Sequence, residues 1–215
     1  MSDTLLLSTT AKPLQVIGTD IAPVQPQWVP PNCQFQIDDA ERDWTFPTNH
    51  FDYVHARDLY LGIRDWKKFV RQCYHACKPG GWVEFAQVHP MPEADDDTLD
   101  QESAYMEMVR AWAEIGSRIN CEPMSATLFK TWFIAQGFQN VQETILKTPS
   151  SPWPKDPRLK RIGAYELMNV VEGARGFLLR GWTREFGQTK EELEMLVYRM
   201  RKELASNKIH SFVPL

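Results

Sequence analysis

The chain has 215 residues, 43% of them apolar and 24% charged, which suits one α/β domain with a full core and excludes a disordered protein. A net charge of −4 supplies no broad basic field, so nucleic acid is not expected as a partner, and no stretch reaches the ~20 apolar residues of a membrane span. Met1 to Leu14 lacks the basic start and long apolar run of a secretory signal, so a cytoplasmic or nuclear location is expected.

In chain order, Leu5-Leu6-Leu7 makes at most a short strand. The stretch from Ser8 to Gln15 is too short for the crossover of about a dozen residues that parallel pairing requires, so this strand is expected as a hairpin or as cover for a sheet edge. Gln15 to Thr19 is the first strand proper. Ala22 to Asn32 holds Pro23, Pro26, Pro30 and Pro31 and is no regular helix. Cys33 to Ile37 and Phe51 to His55 read as further strands, rich in aromatic and β-branched residues. Arg64 to Cys77 has Trp66, Phe69, Val70, Cys73 and Cys77 at helical spacing, and Lys78-Pro79-Gly80-Gly81 stops that helix. Trp82 to Val88 is a strand and Glu93 to Asp100 a solvated acidic loop.

Helices are then predicted near Leu99 to Arg118 and Ser125 to Gln136. Gly137-Phe138 ends the second, and Val141 to Leu146 reads as a strand. Four prolines between Pro149 and Pro157 mark an extended excursion. Helical patterns return at Arg158 to Glu172 and Lys190 to Ser206, and Ile209 to Val213 is a short apolar end. The alternation of strands and helices predicts a parallel sheet with helices on its faces.

Cys33, Cys73, Cys77 and Cys121 have no disulfide-framework spacing and suit a reducing compartment. Cys73 and Cys77 share a helix, but His75 between them lies on another face, so no metal site is expected.

The chemistry-bearing residues gather at strand ends. Asp20 closes the first strand, where an open α/β sheet presents ligands, and a carboxylate there can accept from both ribose hydroxyls of a nucleoside. Asp39-Ala40 follows the next strand. There an Asp can accept from an adenine amino group while a backbone N–H reaches a ring nitrogen. His89, following the Trp82 to Val88 strand, is the candidate general base.

With Phe51-Asp52-Tyr53-Val54 and Lys78-Pro79-Gly80-Gly81 in order, these residues resemble the class I S-adenosylmethionine (SAM)-dependent methyltransferases, and within them the fungal LaeA-like group. The strings that carry the resemblance are Val16-Ile17-Gly18-Thr19-Asp20-Ile21-Ala22-Pro23, Gln27-Trp28-Val29-Pro30-Pro31-Asn32, Asp38-Asp39-Ala40-Glu41 and Trp44-Thr45-Phe46-Pro47. Downstream, Pro152-Trp153-Pro154-Lys155-Asp156-Pro157-Arg158, Val170 to Gly173 and Arg201-Lys202-Glu203-Leu204 extend it. It spans nearly everything from Gln15 to His210.

The resemblance implies a Rossmann-like class I methyltransferase sheet with a helical cap. Asp20, with Ile21 beside it, would bind the ribose, Asp39 and Ala40 the adenine, and Ala56 and Arg57 would flank the methionine part of SAM. Trp153, Tyr165 and Trp182 would line a substrate pocket. The family's first strand carries an acid-x-Gly-x-Gly-x-Gly turn that holds the amino-acid end of SAM, whereas residues 1–15 here contain no glycine. A βαβ unit takes roughly 30 residues, so the sheet is expected to be incomplete. Residues 1–14 read as a divergent N-terminal segment. Residues 15–215 read as a methyltransferase-like domain with its first βα unit missing and its last strand shortened.

The implied activity is SAM-dependent methyl transfer to oxygen or nitrogen of a small secondary metabolite, with SAM binding weakened or lost. The alternatives are a non-methylating enzyme promoting a rearrangement or cyclisation, and a LaeA-like regulatory interaction protein. A Val16 to Asp20 strand deprived of its neighbour would favour self-association or a protein partner.

Overall fold

The structure is a computed structural model that describes residues 14–25 and 28–215 and the backbone of residues 3–8. Pro26, Gln27 and the rest of the N-terminal segment lie outside the described residues. The chain divides into two compact units, Met1–Gln87 with Ser125–Glu143, and Val88–Met124 with Thr144–Leu215.

The first unit is built on a five-stranded sheet of β1 (Asp3–Ser8), β2 (Gln15–Asp20), β3 (Cys33–Ile37), β4 (Phe51–Arg57) and β5 (Cys77–Ala86), in the order β3-β2-β1-β4-β5. β2 pairs parallel with β3, and β4 parallel with β5. β1 runs antiparallel to both β2 and β4. The leucine strand is therefore a hairpin partner of β2, as the short connection requires, but it stands inside the sheet rather than over an edge. The expectation that β2 loses a neighbour is corrected, since β1 and β3 flank it.

Helix α1 (Trp66–Ala76) packs on this sheet. Asp65 caps it by accepting from the Lys68 amide. Its buried stripe of Trp66, Phe69, Cys73 and Ala76 meets Phe51, Val54 and Ala56 in one core. Burial of each larger side chain contributes about 1.5–3 kcal/mol. The helix ends differently from expectation. Cys77 closes it in an extended conformation, and the left-handed residue is Gly80, at φ +82°, within β5 itself, where the β4–β5 register shifts between Cys77 and Trp82. Helix α3 (Phe129–Gln136), preceded by a 3-10 turn at Ser125–Leu128, does end on a left-handed Gly137.

Residues 141–146 form no strand, contrary to their β-branched pattern. Ile145 and Leu146 are 67% and 57% exposed, so no buried face selects the pairing there. Within 141–146 only Leu146 pairs, exchanging backbone hydrogen bonds with Leu215 at 2.7 and 2.8 Å, and it leads into β7 (Lys147–Pro149), in the second unit, which joins β6 (Glu93–Ala94) and β8 (Ser211–Pro214) in the order β6-β8-β7.

The second unit's core lies among α2 (Ala104–Arg118), α4 (Pro157–Glu185) and α5 (Lys190–Ala205). Ser103 caps α2, later than the expected start at Leu99, because the Ser103 hydroxyl accepts from the Met106 amide. Asp156 and Pro157 open α4. That helix runs 29 residues and continues past Glu172, because Ala174, Leu178 and Trp182 bury against α2 and α5. Thr189 and Glu192 form a capping box on α5. The acidic loop is tied down as well as solvated, since Lys147 pairs with Asp95 and His210 with Asp96. No helix among the described residues is long and apolar enough to cross a membrane.

Candidate functional site

Parallel pairing of β2 with β3 and of β4 with β5, and the antiparallel β1 between them, put the carboxyl ends of four strands at one edge. Asp20, Ile37 with the following Asp38-Asp39, Arg57 and Ala86 all arrive there. The start of β1 arrives with them, Asp3 in register with Arg57 and Thr4 with Thr19.

Asp20 is half-buried. Its Oδ1 accepts from the Ala22 amide at 2.8 Å, which turns the chain after β2, and Oδ2 has no bond among the described residues. Ile21 beside it is 71% exposed. The Asp38 amide donates to the Asp20 carbonyl at 3.0 Å, which draws the β3 end alongside.

Asp39 is more committed to its own loop. Its Oδ1 accepts from the Glu41 amide at 3.0 Å and its Oδ2 lies 3.7 Å from Arg42. The Ala40 carbonyl accepts from the Trp44 indole and from the Gln72 amide group, both at 3.2 Å, anchoring this loop to α1. Ala56 is 3% exposed and belongs to the core. Arg57 is exposed and its Nε lies 3.4 Å from the Asp58 carboxylate. Asp58 itself has φ +49°, a sparsely populated conformation for a non-glycine residue.

For a nucleoside the edge is suitable. Asp20 Oδ2 has no hydrogen bond among the described residues, and Ile21 beside it is exposed. Between β2 and β4 lies β1, whose residues Asp3 to Ser8 include no glycine and run antiparallel to both neighbours.

The other candidates lie in the second unit. His89 is held by its amide, which donates to the Pro214 carbonyl at 2.7 Å. Its Nδ1 is buried without a hydrogen-bond partner among the described residues. Burial pushes the imidazole below its usual value, with the Glu93 carboxylate pulling the other way. Trp153 donates to the Ser211 carbonyl at 2.8 Å and packs on the His210 ring, a fixed position against β8. Tyr165 is 63% exposed on α4. Trp182 is buried and donates to the Thr189 carbonyl at 3.1 Å, beside an open groove of about 390 Å³. Trp182 and Glu107, Met195 and Arg199 share that groove, while Trp153 and Tyr165 are not among its lining residues.

Sequence reading missed a cluster on β4 and β5 in which Tyr53, His55 and Glu84 share hydrogen bonds. Its only signal was the alternation of Tyr53 and His55, which puts both on one sheet face.

Against known proteins, residues 2–143 match the family model described as "Methyltransferase domain". The chain belongs to that methyltransferase family. It has the α/β methyltransferase fold, and the family implies SAM as methyl donor. Methyltransferase pytC of Aspergillus terreus is 34% identical over 201 residues, covering 91% of this chain and 60% of pytC. The secondary metabolism regulator LAE1 of Cochliobolus heterostrophus is 30% identical over 209 residues, covering 92% of this chain and 66% of LAE1. This methyltransferase domain thus spans about 60% of the length of pytC. Among solved structures, phosphoethanolamine N-methyltransferase 2 of Haemonchus contortus, in complex with phosphomonomethylethanolamine and S-adenosylhomocysteine, aligns with a TM-score of 0.44 at 20% identity. That alignment covers 85% of this chain and 36% of the other.

Proposed function

We propose that this domain serves SAM-dependent methyl transfer to an oxygen or nitrogen of a small secondary metabolite. The reading rests on the carboxyl edge, where Asp20 and the Asp38-Asp39-Ala40 turn arrive side by side through the β2–β3 register. Asp20 accepts from the ribose hydroxyls, with Ile21 beside them, and Asp39 with Ala40 addresses the adenine. Ala56 and Arg57 flank the methionine part. SAM, when bound, supplies an electrophilic methyl group. The chain's contribution is to hold the nucleoside and align the acceptor, and alignment alone provides much of the rate of such a transfer. The name of the relative LAE1, a secondary metabolism regulator, supports secondary metabolism as the setting.

Calorimetric titration of the chain with SAM and with adenosine tests this reading. Adenosine binding that depends on Asp20 supports it, and no nucleoside binding at all removes it.

A second reading is favoured by β1. With an antiparallel strand where the family carries its glycine turn, the chain would keep the fold and lose the methyl donor, acting as a non-methylating catalyst or as a regulator. Exposed Trp28 (93%), Ile21 (71%), Ile37 (66%) and Trp82 (64%) support self-association or a protein partner. Product formation without SAM supports the catalyst, and a stable complex formed without SAM supports the regulator.

A further inference from the structure

On β4, Val54 and Ala56 turn into the core with α1, so Tyr53 and His55 face the other side of the sheet. On β5, Glu84 stands in parallel register with His55, and Trp82 with Tyr53. Three donor atoms converge there. His55 Nδ1 lies 3.2 Å from Tyr53 Oη and 3.2 Å from Glu84 Oε2. Tyr53 Oη donates a hydrogen bond to the same Glu84 oxygen. The Tyr53 and His55 rings stack with their planes 20° apart. The His55 side chain is 18% exposed and that of Glu84 57%, so the triangle is walled at the histidine and open at the carboxylate.

We propose that Tyr53, His55 and Glu84 form a binding site for a divalent first-row transition-metal ion, with copper(II) the tightest. Ligands held about 2.0–2.2 Å from such an ion stand about 2.9 Å apart at right angles and about 3.4 Å apart in a tetrahedron. The two 3.2 Å edges of the triangle fall between these limits. The third edge is a hydrogen bond between phenol and carboxylate in the metal-free protein, and its two oxygens part to the same spacing as the ion replaces the proton between them. Tyr53 then ligates as phenolate, its proton passing to solvent, while His55 contributes the Nδ1 lone pair and Glu84 a carboxylate oxygen. Water completes the shell on the exposed side.

One nitrogen and two oxygens from imidazole, carboxylate and phenolate suit copper, nickel and zinc better than magnesium, and the Irving–Williams order puts copper first. In the metal-free protein, burial together with the Glu84 carboxylate pushes the Tyr53 phenol up. A tyrosine phenol ordinarily stays protonated at neutral pH, so tyrosinate that appears on titration reports the ion.

The test uses the full chain, freed of metal with a chelator and titrated with copper(II), zinc(II) and magnesium(II) chlorides. Calorimetry gives affinity, and ultraviolet and visible spectra follow the tyrosinate and its charge transfer to copper. The expected result is one saturable site ordered copper over zinc, no magnesium binding, and a tyrosinate signal that rises with occupancy.

Loss of a ligand in Tyr53→Phe or His55→Gln should weaken copper by at least about tenfold, the smallest loss typical even for groups that only support a ligand. Tyr53→Phe should also abolish the charge-transfer band. His75→Gln, on the exposed face of α1, should leave both unchanged. Circular dichroism of each variant confirms the fold. Copper binding that survives both Tyr53→Phe and His55→Gln, or saturates in the wild type without a tyrosinate signal, overturns the assignment.

Discussion

Leu6 stands in antiparallel register with Val54, while Val54 itself runs parallel to Val83 of β5. Four strands thus deliver their carboxyl ends to the ligand edge and β1 delivers its amino end. The backbone at that point carries no glycine, whereas the resemblance to class I methyltransferases implies a glycine turn for the amino-acid end of SAM.

SAM is therefore expected to bind this chain more weakly than micromolar. Adenosine should lose little relative to SAM, because the groups proposed to bind are those for ribose and adenine. Calorimetry with both ligands checks this, and nanomolar SAM affinity would overturn it.

Asp20→Ala should weaken adenosine by about 1–3 kcal/mol, the range for hydrogen bonds to a charged group. It also frees the Ala22 amide, so a small loss of thermal stability accompanies it. Asp39→Ala should act more through its loop, because Asp39 already accepts from the Glu41 amide. Equal adenosine affinity in wild type and Asp20→Ala would remove the ribose assignment.

Two glycines of α4 should respond in opposite directions. A methyl group added at Gly176 would have nothing within 4 Å of it, so Gly176→Ala should stabilise by about 0.5–1 kcal/mol through helix propensity. At Gly163 the same methyl would collide with the Ser151 carbonyl oxygen, a backbone atom that cannot swing away. Gly163→Ala should destabilise by about 1–3 kcal/mol. Urea melts of the two variants give both signs.

Asp96 carries an acid-side dependence. The Thr98 hydroxyl first, and His210 second, hold its carboxyl at about 2, below the ordinary 3.8. A carboxyl depressed in the folded state stabilises it above its unfolded value. That contribution is lost as pH falls from about 4 toward about 2. Asp96→Asn should flatten this part of the stability profile and leave the slope above pH ~5 unchanged. Thermal melts across that range measure it.

Much of the sheet was legible because β2, β3 and β4 are short apolar runs bounded by proline, asparagine or acidic residues. Helix α1 was legible because its stripe from Trp66 to Ala76 keeps one period. The position of β1 was not, since three leucines specify a buried strand and not which two strands will flank it. Residues 141–146 misled because β-branched side chains favour a strand only when a face is there to bury them, and Ile145 and Leu146 have none. The position of Asp20 at a strand end was legible from the apolar run before it. Trp153 was not, because its hydrogen bond to the Ser211 carbonyl depends on a strand 58 residues away. Tyr53, His55 and Glu84 were hidden for a similar reason, their meeting being set by the β4–β5 register.

β2 and β4 are joined through β1 alone among the described strands. Without it the sheet would part into two two-stranded ribbons, β2 with β3 and β4 with β5, and such ribbons are marginal by themselves. The protein is in this sense a self-complemented receptor, with a strand-shaped slot already filled by its own first strand. A chain begun at Leu14 should present that slot empty, and a synthetic peptide of residues 1–10 should be captured there by backbone pairing, its specificity set by strand direction rather than by pockets.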